Sequence, residues 1–238
     1  MPKLIIANWK SNHNLESALG WVETVGSYLK DHKPECKVIL APPFPLISAL
    51  SIFVQNECSG YLELAIQDLS FRGAGSFTGE VCAENLKGLG VKYAILGHSE
   101  RRELLGENDQ EVALKVVEAV AHQLQPIVCV DEGYYENQMQ LVKEEAKKAN
   151  ISFANQQLSV AYEPPGAIST VENASTQSTE KVAKVVSDIK NLNADALVIY
   201  GGSVNAKNIS EYLEVTNGVL VGGASLKSGS FVELLKRV

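Results

Sequence analysis

Long apolar runs are missing from this chain. None approaches the ~20 residues needed to cross a bilayer. The opening segment Met1–Lys10 has only a short apolar stretch and no small-residue cleavage site, so it reads as a first strand and not as a targeting leader. Basic residues are outnumbered: 21 Lys and Arg against 28 Asp and Glu leave a formal net charge of −7. That balance argues against a nucleic-acid partner, which needs a basic patch. It also means that an anionic ligand must be drawn in by a local positive field. Cysteine is scarce and unpatterned. Cys36, Cys58, Cys82 and Cys129 show neither a CxxC nor a Cys/His ligand spacing, so reduced, mostly buried thiols and no metal site are expected. Asn150, Asn173 and Asn208 each open an N-x-S sequon, which carries no weight without a secretory leader. The expectation is a cytoplasmic protein with no membrane contact.

What is present is a regular alternation. Hydrophobic residues make up 45% of the 238 positions. Short β-rich runs recur about every thirty residues, the span of one βα unit: Leu4–Ala7, Val38–Ala41, Leu64–Gln67, Tyr93–Gly97, Ile127–Val130, Val160–Tyr162, Ala196–Tyr200 and Val219–Gly222. Most are continuously apolar, as strands of a parallel sheet covered on both faces must be. Helical patterns lie between them. Asn108 to Glu111 spells a capping box ahead of Val112, Val116 and Val120. Ser178 is placed to cap a helix that buries Val182, Val185, Val186, Ile189 and Leu192. Glu144 and Glu145 can pair with Lys148 on a solvated face. Strict strand–helix alternation implies parallel strands with right-handed crossovers. About eight strands and this length suit a (βα)8 barrel forming a single domain over residues 1–238. An open, doubly wound sheet is the alternative, although the first strand lacks the GxGxxG of a dinucleotide-binding unit.

In such barrels the chemistry sits at the C-terminal strand ends. There the sequence places Asn8-Trp9-Lys10, then Gly97-His98-Ser99-Glu100-Arg101-Arg102, Asp131-Glu132, Glu163-Pro164-Pro165, Gly201-Gly202-Ser203 and Gly222-Gly223-Ala224-Ser225. One Gly-Gly pair more often marks a tight turn. Two pairs in successive loops, each followed by a serine, point to backbone N–H groups that bind phosphate. Lys10 alone is an ordinary solvated lysine and His98 alone an ordinary structural histidine. Glu163 is more telling, because a carboxylate directly after an apolar strand is costly without a task or partner. Glu100, Arg101, Arg102 and Glu107 read as an ion network whose members pair with one another.

Together these segments resemble the triosephosphate isomerase family over essentially the whole chain. The resemblance rests on Asn8-Trp9-Lys10, Phe77-Thr78-Gly79-Glu80, Leu96 to Arg102, Ala161-Tyr162-Glu163-Pro164, Tyr200 to Val204 and Leu220 to Leu226. It implies a TIM barrel that interconverts dihydroxyacetone phosphate and glyceraldehyde 3-phosphate without cofactor or metal, a step of glycolysis and gluconeogenesis. By the family's motifs Glu163 matches the base, His98 the electrophile and Lys10 the cationic substrate contact. Asn8 matches a further polar contact. Ser169, Ser203, Gly222 and Gly223 match the phosphate-side positions. The family is itself the worked case of a glutamate base beside a histidine kept neutral by a helix N-terminus, and Ser99-Glu100-Arg101 can open such a helix. Ile168 and Leu220 match the apolar cover that raises the base's pKa by desolvation, with Glu100 in support.

This chain departs from the family mainly in Glu163–Val171. Gly166 stands where a tryptophan is usual, and Ser169 stands where a glycine donates its N–H to phosphate. Asp131-Glu132-Gly133 also replaces the usual G-E-T. The resemblance further implies a homodimer through the Gln67–Glu80 loop. Phe77 and Thr78 would form its tip, Glu80 would pair with Arg101 of the neighbour, and Glu107 would support that arginine within its own subunit. Two other functions compete: a phosphate-binding barrel that has lost catalysis and serves as a binding or scaffold protein, and a different phosphosugar-processing barrel enzyme. Lys10, His98 and Glu163 together argue against the scaffold, which needs none of them.

Overall fold

The computed structural model describes residues 2–153, 158–164 and 176–238. Its strands are β1 (Lys3–Asn8), β2 (Cys36–Ala41), β3 (Leu62–Ile66), β4 (Val91–Leu96), β5 (Gln125–Val130), β6 (Ser159–Tyr162), β7 (Leu197–Tyr200) and β8 (Gly218–Val221). The helices are α1 (Leu15–His32), α2 (Phe44–Glu57), α3 (Ser99–Leu105), α4 (Asp109–Ala121), α5 (Tyr135–Lys148), α6 (Thr179–Leu192), α7 (Ile209–Val215) and α8 (Ser228–Leu235). All eight strands are parallel, each pairs with the next, and β8 returns to pair with β1, so the sheet is a closed barrel. The open-sheet alternative is excluded. Closure brings β8 hard against β1: a Cβ on Gly218 would lie 2.2 Å from the Leu4 carbonyl oxygen.

Strand alternation explains why the runs are apolar throughout. Leu4, Ile6, Tyr93, Ile95, Ile199 and Leu220 belong to the cluster that fills the barrel interior. Ile5, Ala7, Val38, Leu40 and Val198 face the helices in a second, larger cluster. With both faces covered, no strand position can be polar without cost. Each fully buried Val, Leu or Ile adds ~1.5–3 kcal/mol.

The caps form where the sequence places them. Glu111 N–H donates to Asn108 Oδ1 at 3.0 Å, and Asn108 N–H donates to Glu111 Oε2 at 3.1 Å. Ser178 Oγ accepts from Lys181 N–H at 3.3 Å. Val182, Val185, Val186 and Ile189 are buried, but Leu192 is 37% exposed, contrary to expectation. It is the last residue of α6, where no further turn brackets its side chain. Lys148 pairs with Glu145 at 2.6 Å, while Glu144 instead accepts from Gln140. That face is not simply solvated, since Glu145 is buried and also accepts from Gln110. All four cysteines are free, three of them buried. Burial pushes the Cys36 thiol up to about 11. Among the described residues, no helix is long and apolar enough to cross a membrane.

Candidate active site

The inward-facing parity of each strand carries polar side chains into the C-terminal mouth of the barrel. Leu4 and Ile6 point inward, and Asn8 continues that alternation; Ala161 points inward, and Glu163 follows it. Asn8 is 5% and Glu163 2% exposed. Lys10 has a left-handed backbone, φ 52°, which is uncommon for a residue with a side chain. Two contacts hold it there. Lys10 N–H donates to Asn8 Oδ1 at 3.0 Å, and Gln67 Nε2 donates to the Lys10 carbonyl at 2.8 Å. The same Gln67 nitrogen donates to the Ala41 carbonyl, also at 2.8 Å. Strain of this kind needs surrounding structure to impose it and clusters at functional sites.

His98 caps the N-terminus of α3. Its Nδ1 accepts from Glu100 N–H at 3.2 Å, which assigns the ring proton to Nε2. That Nε2 lies 2.9 Å from Glu163 Oε1. The other Glu163 oxygen accepts from Ser99 N–H at 2.9 Å. Lys10 Nζ pairs with Glu100 Oε1 at 2.6 Å.

These residues share one small cavity of about 20 Å³, lined by Asn8, Lys10, His98, Glu163, Gly201, Gly202, Leu220 and Gly222. A lysine, a histidine N–H and a carboxylate from three different strand ends, beside glycine loops after β7 and β8, are the parts needed to move a proton next to an anionic group. The sequence pattern of the triosephosphate isomerase family matches residues 3–238. The chain belongs to this family. Two relatives named triosephosphate isomerase, from Mesomycoplasma hyopneumoniae strains 7448 and 232, are each 36% identical over 247 aligned positions that cover 99% of this chain and 99% of theirs.

For a member of the triosephosphate isomerase family, several local details differ from what the sequence suggests. Ser203 and Gly223 do not line the cavity. Gly223 opens the short 3₁₀ turn just behind Gly222, and the Ser203 carbonyl accepts from Asn208. Ile168 and Ser169, like Gly166, lie outside the described residues. The helical charges do not pair among themselves as a set. Successive helix residues point about 100° apart, so Glu100 reaches Lys10, Arg102 reaches Asp109 at 2.5 Å, and only Arg101 meets Glu107, at 3.4 Å.

Glu163 is not made more basic in this arrangement. Burial raises its pKa, but the adjacent His98 and the Ser99 N–H outweigh burial and hold it below the usual carboxylate range. Burial of the His98 ring opposes its charge, and the Glu163 carboxylate outweighs that, so His98 is drawn upward while the two touch. The Glu100 N–H aimed at Nδ1 resists that second proton.

Three contributors escape sequence reasoning. Gln67 clamps Lys10 from the far end of β3. Gly201 makes room for the carboxylate, since a Cβ there would lie 2.8 Å from Glu163 Cγ. The Cys129 thiol, buried under Glu163, is kept protonated first by burial and then by that carboxylate. The potential metal ligands that converge among the described residues are Glu84, Glu118 and His122. Glu118 and His122 lie where α4 leads into β5, and Glu84 lies in the 3₁₀ turn Ala83–Leu86 ahead of β4, at the opposite end of the barrel. His122 already contacts Glu84 at 3.1 Å and Glu118 at 3.4 Å.

Proposed function

We propose that this chain interconverts dihydroxyacetone phosphate and glyceraldehyde 3-phosphate, with Glu163 as base, His98 as electrophile and Lys10 as the cationic anchor. The observation that carries the reading is the 2.9 Å contact between His98 Nε2 and Glu163 Oε1 in a cavity that Lys10 also lines. Glu163 takes a proton from the hydroxyl-bearing carbon next to the substrate carbonyl and returns it to the carbonyl carbon, while the hydroxyl proton passes through His98 to the former carbonyl oxygen, so that carbonyl and alcohol change places. In between, negative charge collects on the carbonyl oxygen as an enediolate, which the His98 N–H stabilises while the Lys10 ammonium holds the substrate's anionic group.

The resting contacts make this sequence of events self-consistent. A cavity of about 20 Å³ holds roughly one water molecule. Substrate entry must therefore enlarge it, and in this reading Glu163 gives up His98 as it does. The substrate oxygen then accepts the Nε2–H in place of the carboxylate. Glu163 loses a stabilising donor while it stays out of water, so its basicity rises when the reacting carbon arrives. A coupled assay on glyceraldehyde 3-phosphate, with no added metal or cofactor, tests the reading. Retained phosphate binding with no turnover would defeat it.

A two-fold homodimer belongs to the same proposal. Residues 72–80 are exposed, and Ser70 N–H donates to the Val81 carbonyl at the loop's base, so this loop projects from the barrel. Phe77 at 40%, Leu104 at 77% and Leu105 at 68% exposure leave large apolar side chains in water, the usual mark of an interface. In the dimer Phe77 and Thr78 form the loop tip and Glu80 pairs with Arg101 of the partner subunit. Light scattering at micromolar concentration should give about twice 25.7 kDa for the wild type. Thr78→Arg should give a weakly active monomer. A fully active wild type of 25.7 kDa would refute the dimer. The four free cysteines suit a reducing compartment such as the cytoplasm.

A further inference from the structure

Beneath the site lies a closed ring of four charged side chains that the reaction itself does not use. Lys115, 7% exposed, bonds Asp68 Oδ1 at 2.7 Å and also Glu107 Oε1. Arg101 Nη2 bonds Asp68 Oδ2 at 2.7 Å, and Arg101 Nε reaches Glu107 Oε1 at 3.4 Å. Two cations and two anions alternate, so the ring is neutral overall and each carboxylate meets both cations. Asp68 is thereby fixed through both of its oxygens, by Lys115 of α4 and by Arg101 of α3.

Asp68 directly follows Gln67. Gln67 is the residue whose side chain holds the Lys10 carbonyl and keeps that lysine in its left-handed conformation. Arg101 stands three residues after His98 on the helix that His98 caps, and its N–H donates to the His98 carbonyl at 2.8 Å. The ring therefore ties together the two backbone segments that present Lys10 and His98. A left-handed lysine is a strained state that relaxes when its clamp moves.

We propose that Asp68 and Lys115 are positioning residues: through Gln67 they hold the Lys10 ammonium where it meets the substrate's anionic group. The inference rests on the reading of Lys10 as the substrate anchor. Its strength comes from geometry, since removing the Asp68 charge weakens both ties of the backbone that carries Gln67, to α3 and to α4, and removing the Lys115 charge as well leaves no ion pair to either helix. Misplacing a binding group by roughly 1 Å costs up to about 10²-fold, and here the loss falls on binding and not on the proton transfer.

Two variants test it. Asp68→Asn keeps the shape and removes one charge. The double variant Asp68→Asn with Lys115→Met removes a cation and an anion together and leaves the Arg101–Glu107 pair balanced, so it folds even if the single variant does not. Calorimetric binding of inorganic phosphate, KM, kcat, thermal unfolding and mass by light scattering are measured for each. The expected result is a folded variant of unchanged mass. Its phosphate dissociation constant and KM rise together, by up to about 10²-fold, while kcat stays within a few-fold of wild type.

Wild-type phosphate affinity and KM in either folded variant would overturn the proposal. So would an affinity loss that appears only with a halved mass, or the failure of both variants to fold, which would make the ring a holder of the fold alone. Phosphate calorimetry needs no turnover. A wild type that binds phosphate without isomerising sinks the isomerase reading and leaves this comparison intact. Unchanged phosphate binding in Lys10→Met sinks the anchor reading separately.

Discussion

Glu163→Gln should lower kcat by about 10²–10⁴-fold, the usual worth of a positioned general base, while the barrel stays folded. Glutamine has nearly the same shape as glutamate. Its oxygen can still accept from Ser99 N–H, as Oε2 does now at 2.9 Å. Its amide nitrogen is a donor and cannot accept the proton on His98 Nε2, which today lies 2.9 Å from Oε1. The His98–Glu163 link is thus lost, and the carboxylate that draws the His98 pKa upward is gone. His98 should titrate at lower pH in the variant, which histidine NMR reads directly. Stability should change its pH dependence as well. Glu163 has a lowered pKa in the fold. Its contribution is therefore present above the unfolded carboxylate pKa and is lost as pH falls through the folded value. The variant should lack that part of the acid-side loss. Turnover near wild type would remove Glu163 from the role of base.

Lys10→Met should raise KM by about 10–10²-fold with a smaller effect on kcat. A hydrogen bond to a charged group is worth about 1.5–3 kcal/mol, and each 1.4 kcal/mol is about tenfold in affinity. The chain as a whole repels a dianion, with a net charge of −7, so the local cation matters more than it would on a basic protein. The substitution leaves the clamp intact, because Asn8 and Gln67 hold the backbone of residue 10 and not its side chain. Glu100, which loses its partner in the variant, is half-buried and keeps access to water. Wild-type KM should also rise with added salt as the attraction is screened, and the variant should respond less. A variant with unchanged KM, kcat and salt response would make Lys10 a bystander.

Much of this site was legible because strand ends can be located from the apolar runs alone. His98 and Glu163 follow such runs directly, Lys10 stands three residues beyond one and Gly222 closes another, and the structure gathers them around one cavity. The paired glycines were legible as loops, but the reason for Gly201 was not. It is a matter of space for a side chain 38 residues earlier in the chain (163 against 201), which no local pattern encodes. The ion network shows the same limit. Charges adjacent in the sequence at Glu100, Arg101 and Arg102 invite mutual pairing, yet the helix turns them toward different neighbours, among them Lys10, Asp68 and Asp109.

Legible in the sequence were the alternation of strands and helices, the helix caps at Asn108 and Ser178, and the strand ends where Lys10, His98 and Glu163 stand. These follow from periodicity and local hydrogen bonding, which act over a few residues. Tertiary structure alone decided the closure of β8 on β1, the left-handed clamp on Lys10 by Gln67, and the protonation balance between His98 and Glu163. Each depends on groups far apart in sequence brought within about 3 Å, the distance over which a hydrogen bond acts. Burial, which sets the pKa of a carboxylate, is a property of everything that surrounds it and not of its neighbours along the chain.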